Sequence, residues 1–257
     1  LFPGAEGAVP PPEASRAQTF ETFKQEAERS FLQAKLREHD WKMRCPVCTR
    51  PATPQATDEE KPLGPTSIYA INKRDQEEMC LVAGRAYGIP TVALRYFNTY
   101  GPRQALSNPY TGVAAIFSGR LLNDKPPLIF EDGNQQRDFI HVSDIVQANL
   151  LAMESAAADY EALNVGTGQV VTVRQVAETL ARGLGKAIRP EIAGQFRAGD
   201  IRHCYADIGK AARLLGFAPR VDFAAGMAEL LEWVRREPAV DHLDRAHAEL
   251  TGRGLTV

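Results

Sequence analysis

The sequence predicts an α/β protein whose sheet is largely parallel. Three observations carry this. From Thr66 onward short β-branched or aromatic runs alternate with longer runs of helical periodicity. Gly- and Pro-containing breaks separate most of them, as in "GIP" at 88–90. The composition, 44% apolar and 24% charged over 257 residues, gives enough core for one large domain or two small ones.

In chain order, Thr66 or Ser67 can cap a helix running to about Tyr87, with Tyr69, Lys73, Gln76 and Cys80 along one side. "GIP" ends it, and "TVALRYF" follows as a buried strand. "TGVAAIFSGRLLN" predicts a second helix, "PLIF" a strand, "EDGN" a turn and "RDFIHV" a strand. Ser143 is placed to cap a helix over "SDIVQANLLAMES". "EALNVGTG" reads as a strand entering a Gly-rich turn, and "TVRQVAETLARGLG" as a helix ending at Gly185. A short strand "CYAD", a helix "IGKAARLLG" and an amphipathic helix "DFAAGMAELLEWVRRE" complete the pattern, and no internal repeat is found. Residues 1–64 differ: they open Pro-rich, pass through a charged stretch that could be helical ("FETFKQEAERSFLQAKLREHDW"), reach "CPVC" and end in a Pro-rich linker. They read as an insertion or appendage ahead of a unit spanning 65–257.

The net charge is −2 with both signs interspersed, which argues against a nucleic-acid binder. No apolar run approaches the roughly 20 residues needed to span a bilayer, and "LFPGAEGAVPPPEAS" lacks the basic start and apolar stretch of a signal peptide. The chain opens without Met and is expected not to begin where its gene does. Four cysteines do not make a disulfide framework in a chain this long, so the expected compartment is the reducing cytoplasm.

Five stretches could carry chemistry. In "SIYAINK", Tyr69 and Lys73 stand about one helical turn apart and project from one face. A phenol ordinarily titrates near pH 10, and a cation held close lowers that value, so the pair could be an acid–base device or a surface lysine beside a half-buried tyrosine. "RYFNTYGPR" follows a strand, and ligands of open parallel sheets bind beyond the carboxyl ends of strands, which places Asn98 well; a structural Asn in a turn is the alternative. "NVGTG" (164–168) invites a phosphate-loop reading, but it is not Gly-x-Gly-x-x-Gly, and tight strand-to-helix packing explains it better. Arg137, Arg197 and Arg202 sit in polar, turn-like settings; their planar forks suit phosphate oxygens, while Asp138, Asp144 and Asp200 offer ordinary ion-pair partners. Cys45 and Cys48 of "CPVC" form half of a zinc ligand set, with a reduced, metal-free pair as the alternative; a structural zinc wants four ligands, and Cys80 and Cys204 stand singly elsewhere.

Taken together, "PTSIYAINK", "RYFNTYGPRQ", "RDFIHVSDI", "NVGTG" and "RAGDIRHCYADIGKA" with "LLGF" resemble, in order, the extended short-chain dehydrogenase/reductases that act on nucleotide sugars, typified by sugar-nucleotide epimerases and dehydratases. The resemblance runs from about Pro65 to Glu237. It implies a Rossmann-type doubly wound parallel sheet with a smaller α/β substrate-binding domain, and NAD as cofactor. It implies that Tyr69 exchanges a proton with the sugar hydroxyl being oxidised and that Lys73 lowers the tyrosine's pKa and binds the nicotinamide ribose. Tyr96 and Phe97 would lie beside the nicotinamide and Asn98 near the substrate diphosphate. Arg137 and Arg197 would hold that diphosphate, Asp200 would face the nucleotide ribose, and Phe130 would pack on a pyrimidine base, as a flat aromatic face can.

The departures are as specific. The Gly-rich cofactor loop, the acid for the adenosine ribose and the catalytic Ser/Thr of the family are not in this sequence, so the expectation is a C-terminal portion whose first Rossmann strands are missing. The Cys-containing segment resembles an insertion found in some bacterial sugar-nucleotide epimerases, among them dTDP-L-rhamnose 4-epimerase-like proteins. The activity implied is NAD-dependent epimerisation of a UDP- or dTDP-linked sugar at C4, through a transient 4-keto sugar. A 4,6-dehydratase or a decarboxylase of the same family is the alternative, and a non-catalytic nucleotide-sugar-binding protein is the alternative from another class. By the same resemblance, the helix from Ser67 to Tyr87 would pair with its copy in a homodimer of the full-length protein.

Overall fold

The structure is a computed structural model that describes residues 40–45, 47–107, 112–196, 200–238, 241 and 243–252. The charged stretch at 20–41 thus lies almost wholly outside the described residues, as does Arg197. The chain divides into two compact units, Leu1–Ala52 and Thr53–Val257.

In the first unit the described residues make a tight hairpin. Arg44 bridges Pro51 in antiparallel sense, the Ala52 N–H donates to the Met43 carbonyl at 2.9 Å, and the Cys45 N–H donates to that of Arg50 at 2.9 Å. Cys45 and Cys48 sit on its turn, which Thr49 closes in the left-handed region at φ 57°.

The second unit runs α1 (Ile68–Tyr87), β1 (Ala93–Tyr96), β2 (Asn98–Tyr100), α2 (Val113–Leu122), β3 (Leu128–Ile129), β4 (Gln136–Arg137), β5 (Phe139–His141) and α3 (Val142–Glu154). A 3₁₀ turn at Ala156–Ala158 leads to β6 (Ala162–Val165), β7 (Val171–Thr172), α4 (Val173–Gly183), β8 (Glu191–Ile192), β9 (His203–Cys204), α5 (Gly209–Leu215), α6 (Phe223–Val234) and α7 (Leu243–Gly252). β1–β6, β2–β5, β3–β8 and β4–β9 pair in parallel, and β4–β7 is antiparallel. The fold is therefore the largely parallel α/β arrangement that the alternation of runs implied.

β1 carries helices on both faces, because its successive side chains point to opposite sides. Arg95 reaches Glu77 of α1 through two hydrogen bonds of 2.6 and 2.8 Å, and Tyr96 gives its hydroxyl to Asn149 of α3 at 2.9 Å. β5 divides two cores by the same alternation. Phe139 joins Tyr100, Phe117, Leu121, Leu180, Met227 and Leu230 between α2, α4 and α6, while Ile140 joins Ile145, Leu163, Val165, Leu215 and Phe217 between α3, α5 and β6. Each Leu or Phe buried this way contributes about 1.5–3 kcal/mol.

Helix ends follow local chemistry. Ser67 caps α1 by accepting from the Ala70 N–H at 3.1 Å, and Gly88 ends it at φ 64°. Thr172 and Gln175 form a capping box at α4, and Asp222 accepts from the Ala224 and Ala225 N–H groups at α6. Some boundaries differ from expectation. α3 starts at Val142 and is capped by the His141 imidazole rather than by Ser143, whose hydroxyl lies 2.8 Å from His141 Nδ1. α4 stops at Gly183, two residues before Gly185 takes the left-handed turn. The strand expected over "RDFIHV" breaks at Asp138 into β4 and β5, for a reason that belongs to the site.

Candidate active site

The strand over 93–100 changes partner at Phe97. The Phe97 N–H still donates to Val165 at 3.1 Å, while the Asn98 N–H turns to the Asp138 carbonyl at 3.0 Å. Residues beyond this point pair with β5 instead of β6. The switch lies at the carboxyl ends of parallel strands, the end at which α/β proteins bind ligands. Asn98 stands there, half-buried.

Asp138 ties these strand ends together. Its buried carboxylate accepts from the Thr167 N–H (2.8 Å), the Thr167 hydroxyl (2.7 Å), the Gly168 N–H (2.8 Å) and the Ala206 N–H (3.2 Å). Four donors on one carboxylate force the backbone out of the ladder, which is the break between β4 and β5. The amides of "NVGTG" do face an anion, and the anion is the chain's own. A Cβ on Gly166 would lie 2.6 Å from Asp138 Oδ2, so the motif is a packing device, as the sequence reading favoured. The expectation that Asp138 and Asp144 pair with arginines is corrected: Asp144 accepts from the Arg220 and Val221 N–H groups at 2.9 and 3.2 Å.

Tyr69 and Lys73 share one exposed face of α1. Lys73 Nζ lies 5.8 Å from the Tyr69 ring centroid and donates to Gln76 Oε1 at 3.2 Å; Tyr69 is 71% exposed. The half-buried, two-pronged Arg95–Glu77 pair fixes this helix to β1, a tie the sequence reading missed. Arg95 and Phe97 alternate onto the α1 side of the strand, and Tyr96 is turned toward α3.

The basic residues gather at the turn between β3 and β4. The Arg137 guanidinium donates to the carbonyls of Gln136 (2.9 Å), Arg202 (2.8 Å) and Ile201. Arg202 grips the Asp132 carboxylate with two bonds of 2.9 Å and also pairs with Glu131. Burial raises the Glu131 carboxyl above its ordinary range despite that pairing. Burial, with the Arg202 and Arg137 charges beside it, holds His203 down to about 4. Phe130 is half-buried at the end of β3, its ring edge-on to that of His247, and Asp200 is half-buried just before β9. The structure thus brings Arg137 and Arg202 together where β4 pairs with β9, ties Arg202 to Glu131 and Asp132 just after Phe130, and sets Tyr69 and Lys73 on α1.

At the hairpin, Arg50 Nε donates to Cys48 Sγ at 3.3 Å, and this bond lowers the Cys48 thiol below its usual value. Among the described residues no group of three or more His, Cys, Asp or Glu is placed to hold a metal ion. No helix among the described residues is long and apolar enough to cross a membrane.

A parallel α/β fold and a Tyr–Lys pair one turn apart, with Asn98 at the strand switch, define a class of protein, and comparison with known proteins gives the family. Residues 47–166 match the NAD dependent epimerase/dehydratase family, and the chain belongs to it. It is 34% identical over 185 residues to a dTDP-L-rhamnose 4-epimerase of Burkholderia thailandensis, covering 72% of this chain and 50% of that protein. It is 36% identical over 179 residues to a putative UDP-glucose 4-epimerase of Methanocaldococcus jannaschii, covering 69% and 56%. The UDP-glucose 4-epimerase of Thermotoga maritima, solved with UDP-glucose, superposes with a TM-score of 0.65 at 38% identity, covering 72% of this chain and 59% of that one. The chain therefore spans between half and three fifths of the length of these relatives.

Proposed function

We propose that this chain forms part of an NAD-dependent epimerase that inverts C4 of a UDP- or dTDP-linked sugar. The single observation that carries the reading is the Tyr69–Lys73 pair, its two polar ends on one exposed face of α1. Relatives that act on UDP- and dTDP-sugars support the substrate class.

In this reading the ionised Tyr69 oxygen accepts the proton of the C4 hydroxyl and later returns one to the 4-keto oxygen, after the sugar has turned to present the other face of C4 to the hydride donor. Lys73 favours the ionised oxygen that takes up this proton, and its remaining N–H donors suit ribose hydroxyls. NAD, when bound, supplies the hydride acceptor and gives the hydride back, so none is consumed. The exposed Tyr69–Lys73 face fits the nicotinamide ribose end of that cofactor; Tyr96 and Phe97 are assigned to the nicotinamide by the family resemblance alone, and the Tyr96 hydroxyl is bonded to Asn149 on the other side of the strand. Asn98, Arg137, Arg197 and Asp200 would bind the substrate's diphosphate and ribose, and Phe130 its base. Three backbone carbonyls hold the Arg137 guanidinium in place.

The chain alone is expected to be inactive, so the test uses the full-length protein, where Tyr69→Phe removes the proton acceptor and leaves the packing of an exposed residue unchanged. The expected loss of turnover is about 100- to 10,000-fold, since general acid–base groups are worth that much. Wild-type turnover of UDP- and dTDP-sugars by the variant would sink the assignment. Product analysis separates the family's reactions: a C4 epimer supports this reading, whereas a 4-keto-6-deoxy sugar or released CO2 would assign the chain to a dehydratase or a decarboxylase.

The α1 helix is also the surface we propose for pairing with a second copy. Ile68, Met79 and Val82 are 74%, 62% and 64% exposed on it, an apolar load that a partner helix would cover. A monomer in sedimentation at micromolar concentration would refute this. The four free cysteines fit a reducing compartment, which we take to be the cytoplasm.

A further inference from the structure

Helix α7 has no part in the site described so far, yet it is fastened beside it. Asp241 caps it through the Leu243 N–H at 3.0 Å and pairs with Arg120 at 3.3 Å and Lys125 at 3.0 Å. Asp244 pairs with Lys125 at 2.7 Å and also with Arg120. The Arg120 and Asp241 side chains are only 7% and 5% exposed. Burying two charges is costly unless they meet, so the joint seats α7 in one position. His247 lies three residues past Asp244, about one turn further along the same side of the helix. There its ring stands edge-on to Phe130, centroids 5.7 Å apart and planes at 60°.

The imidazole does more than a packing residue requires. Its Nδ1 is buried and has no hydrogen-bond partner among the described residues. A buried polar atom left unpaired loses its hydration for nothing, and a Leu or Phe would fill the same space without that loss. A neutral imidazole nitrogen can donate or accept according to its tautomer. The partner that suits it is a flat heterocycle with donors and acceptors on its edge, and Phe130 offers that heterocycle a face.

We propose that His247 is a specificity-determining residue of the nucleotide pocket, its Nδ1 hydrogen-bonding the edge of a pyrimidine base that packs on Phe130. The inference rests on the reading of Phe130 given under the proposed function. It adds to that reading a residue from a helix beyond the stretch matched to the family.

Calorimetric titration of the whole chain with UDP and with inorganic pyrophosphate tests it, in wild type, His247→Phe and His247→Asn. Phe keeps the ring against Phe130 and removes the nitrogen; the Asn amide can stand close to where Nδ1 stood. The expected result is about tenfold weaker UDP binding in His247→Phe, unchanged pyrophosphate binding, and recovery of most of the UDP affinity in His247→Asn. In wild type labelled with ¹⁵N-histidine, UDP should shift an Nδ1 resonance that is missing from both variants, a readout that does not depend on how well they fold. Unchanged UDP affinity in His247→Phe, equal loss for UDP and pyrophosphate, or an unmoved Nδ1 resonance at saturating UDP would each overturn the assignment and leave the pocket standing. No UDP binding by the wild-type chain would overturn the pocket and this assignment together.

Discussion

Asp138 and His203 show how single residues here trade solvation for position. Asp138 gives up water for four donors, and through them the strand switch, the Gly-rich turn and the entry to α5 are tied to one carboxylate. Its neighbour in sequence faced the opposite choice: Arg137 points out to a row of carbonyls. His203 accepts the Gln136 N–H on Nδ1 at 3.3 Å while half-buried beside two guanidiniums. Its native value of about 4 lies below the ordinary 6.5, so the native state resists a proton that the unfolded chain takes up. The stability His203 contributes is therefore complete above about pH 6.5 and is lost as the pH falls toward 4. Glu131, raised by burial, pulls the other way, so the useful comparison is between variants. His203→Asn keeps an acceptor for the Gln136 N–H and cannot titrate. Its urea midpoint should fall less between pH 7 and 5 than the wild type's. Equal falls in the two proteins would show that His203 titrates alike folded and unfolded.

Among the elements, α1 and α6 are held by opposite means. Gly84 is the single buried residue of α1, so the helix that carries Tyr69 depends on directional ties: the Arg95–Glu77 pair and the Arg85 guanidinium on the Tyr160 carbonyl at 2.6 Å. α6 is held by contact. Met227, Leu230, Leu231 and Val234 are buried, and Gly226 lets the Tyr100 ring meet the helix backbone. A Cβ at 226 would come within 2.2 Å of Tyr100 Oη and 2.9 Å of Cζ. Gly226→Ala should therefore destabilise the fold by about 1–3 kcal/mol, the usual cost of overpacking a dense core. The Tyr100 hydroxyl is buried with no partner among the described residues, and its burial pushes the phenol pKa up. Tyr100→Phe removes that oxygen at little cost and should relieve part of the Gly226→Ala loss when the two are combined. A double variant whose loss is the plain sum of the two would show that the clash is taken up elsewhere.

On the scale of the whole molecule, the parallel α/β class and every helix from α1 to α6 were legible in the sequence, because each rests on local signals: periodicity, a cap, a Gly or Pro stop. What escaped was set by distant partners. The two-residue strands β7 and β8 exist only through their ladders with β4 and β3, the break at Asp138 only through amides at 167, 168 and 206, and the seat of α7 only through Arg120 and Lys125. The same asymmetry governs the last prediction. The chain's 257 residues contain no Gly-x-Gly-x-x-Gly stretch, and the one Gly-rich turn that follows a strand, 164–168, spends its amides on Asp138. A dinucleotide takes much of its affinity from pyrophosphate on such free amides at a helix start. Tyr69 and Lys73 can serve the nicotinamide end alone, whereas Phe130, Arg137 and Asp200 all lie within the described residues. The chain by itself should therefore bind a UDP- or dTDP-sugar measurably and NAD poorly. Calorimetric titration with each ligand in turn checks this. Micromolar or tighter NAD binding would mean that the cofactor's pyrophosphate is held by residues other than a glycine loop, and that the division of labour proposed for this chain is wrong.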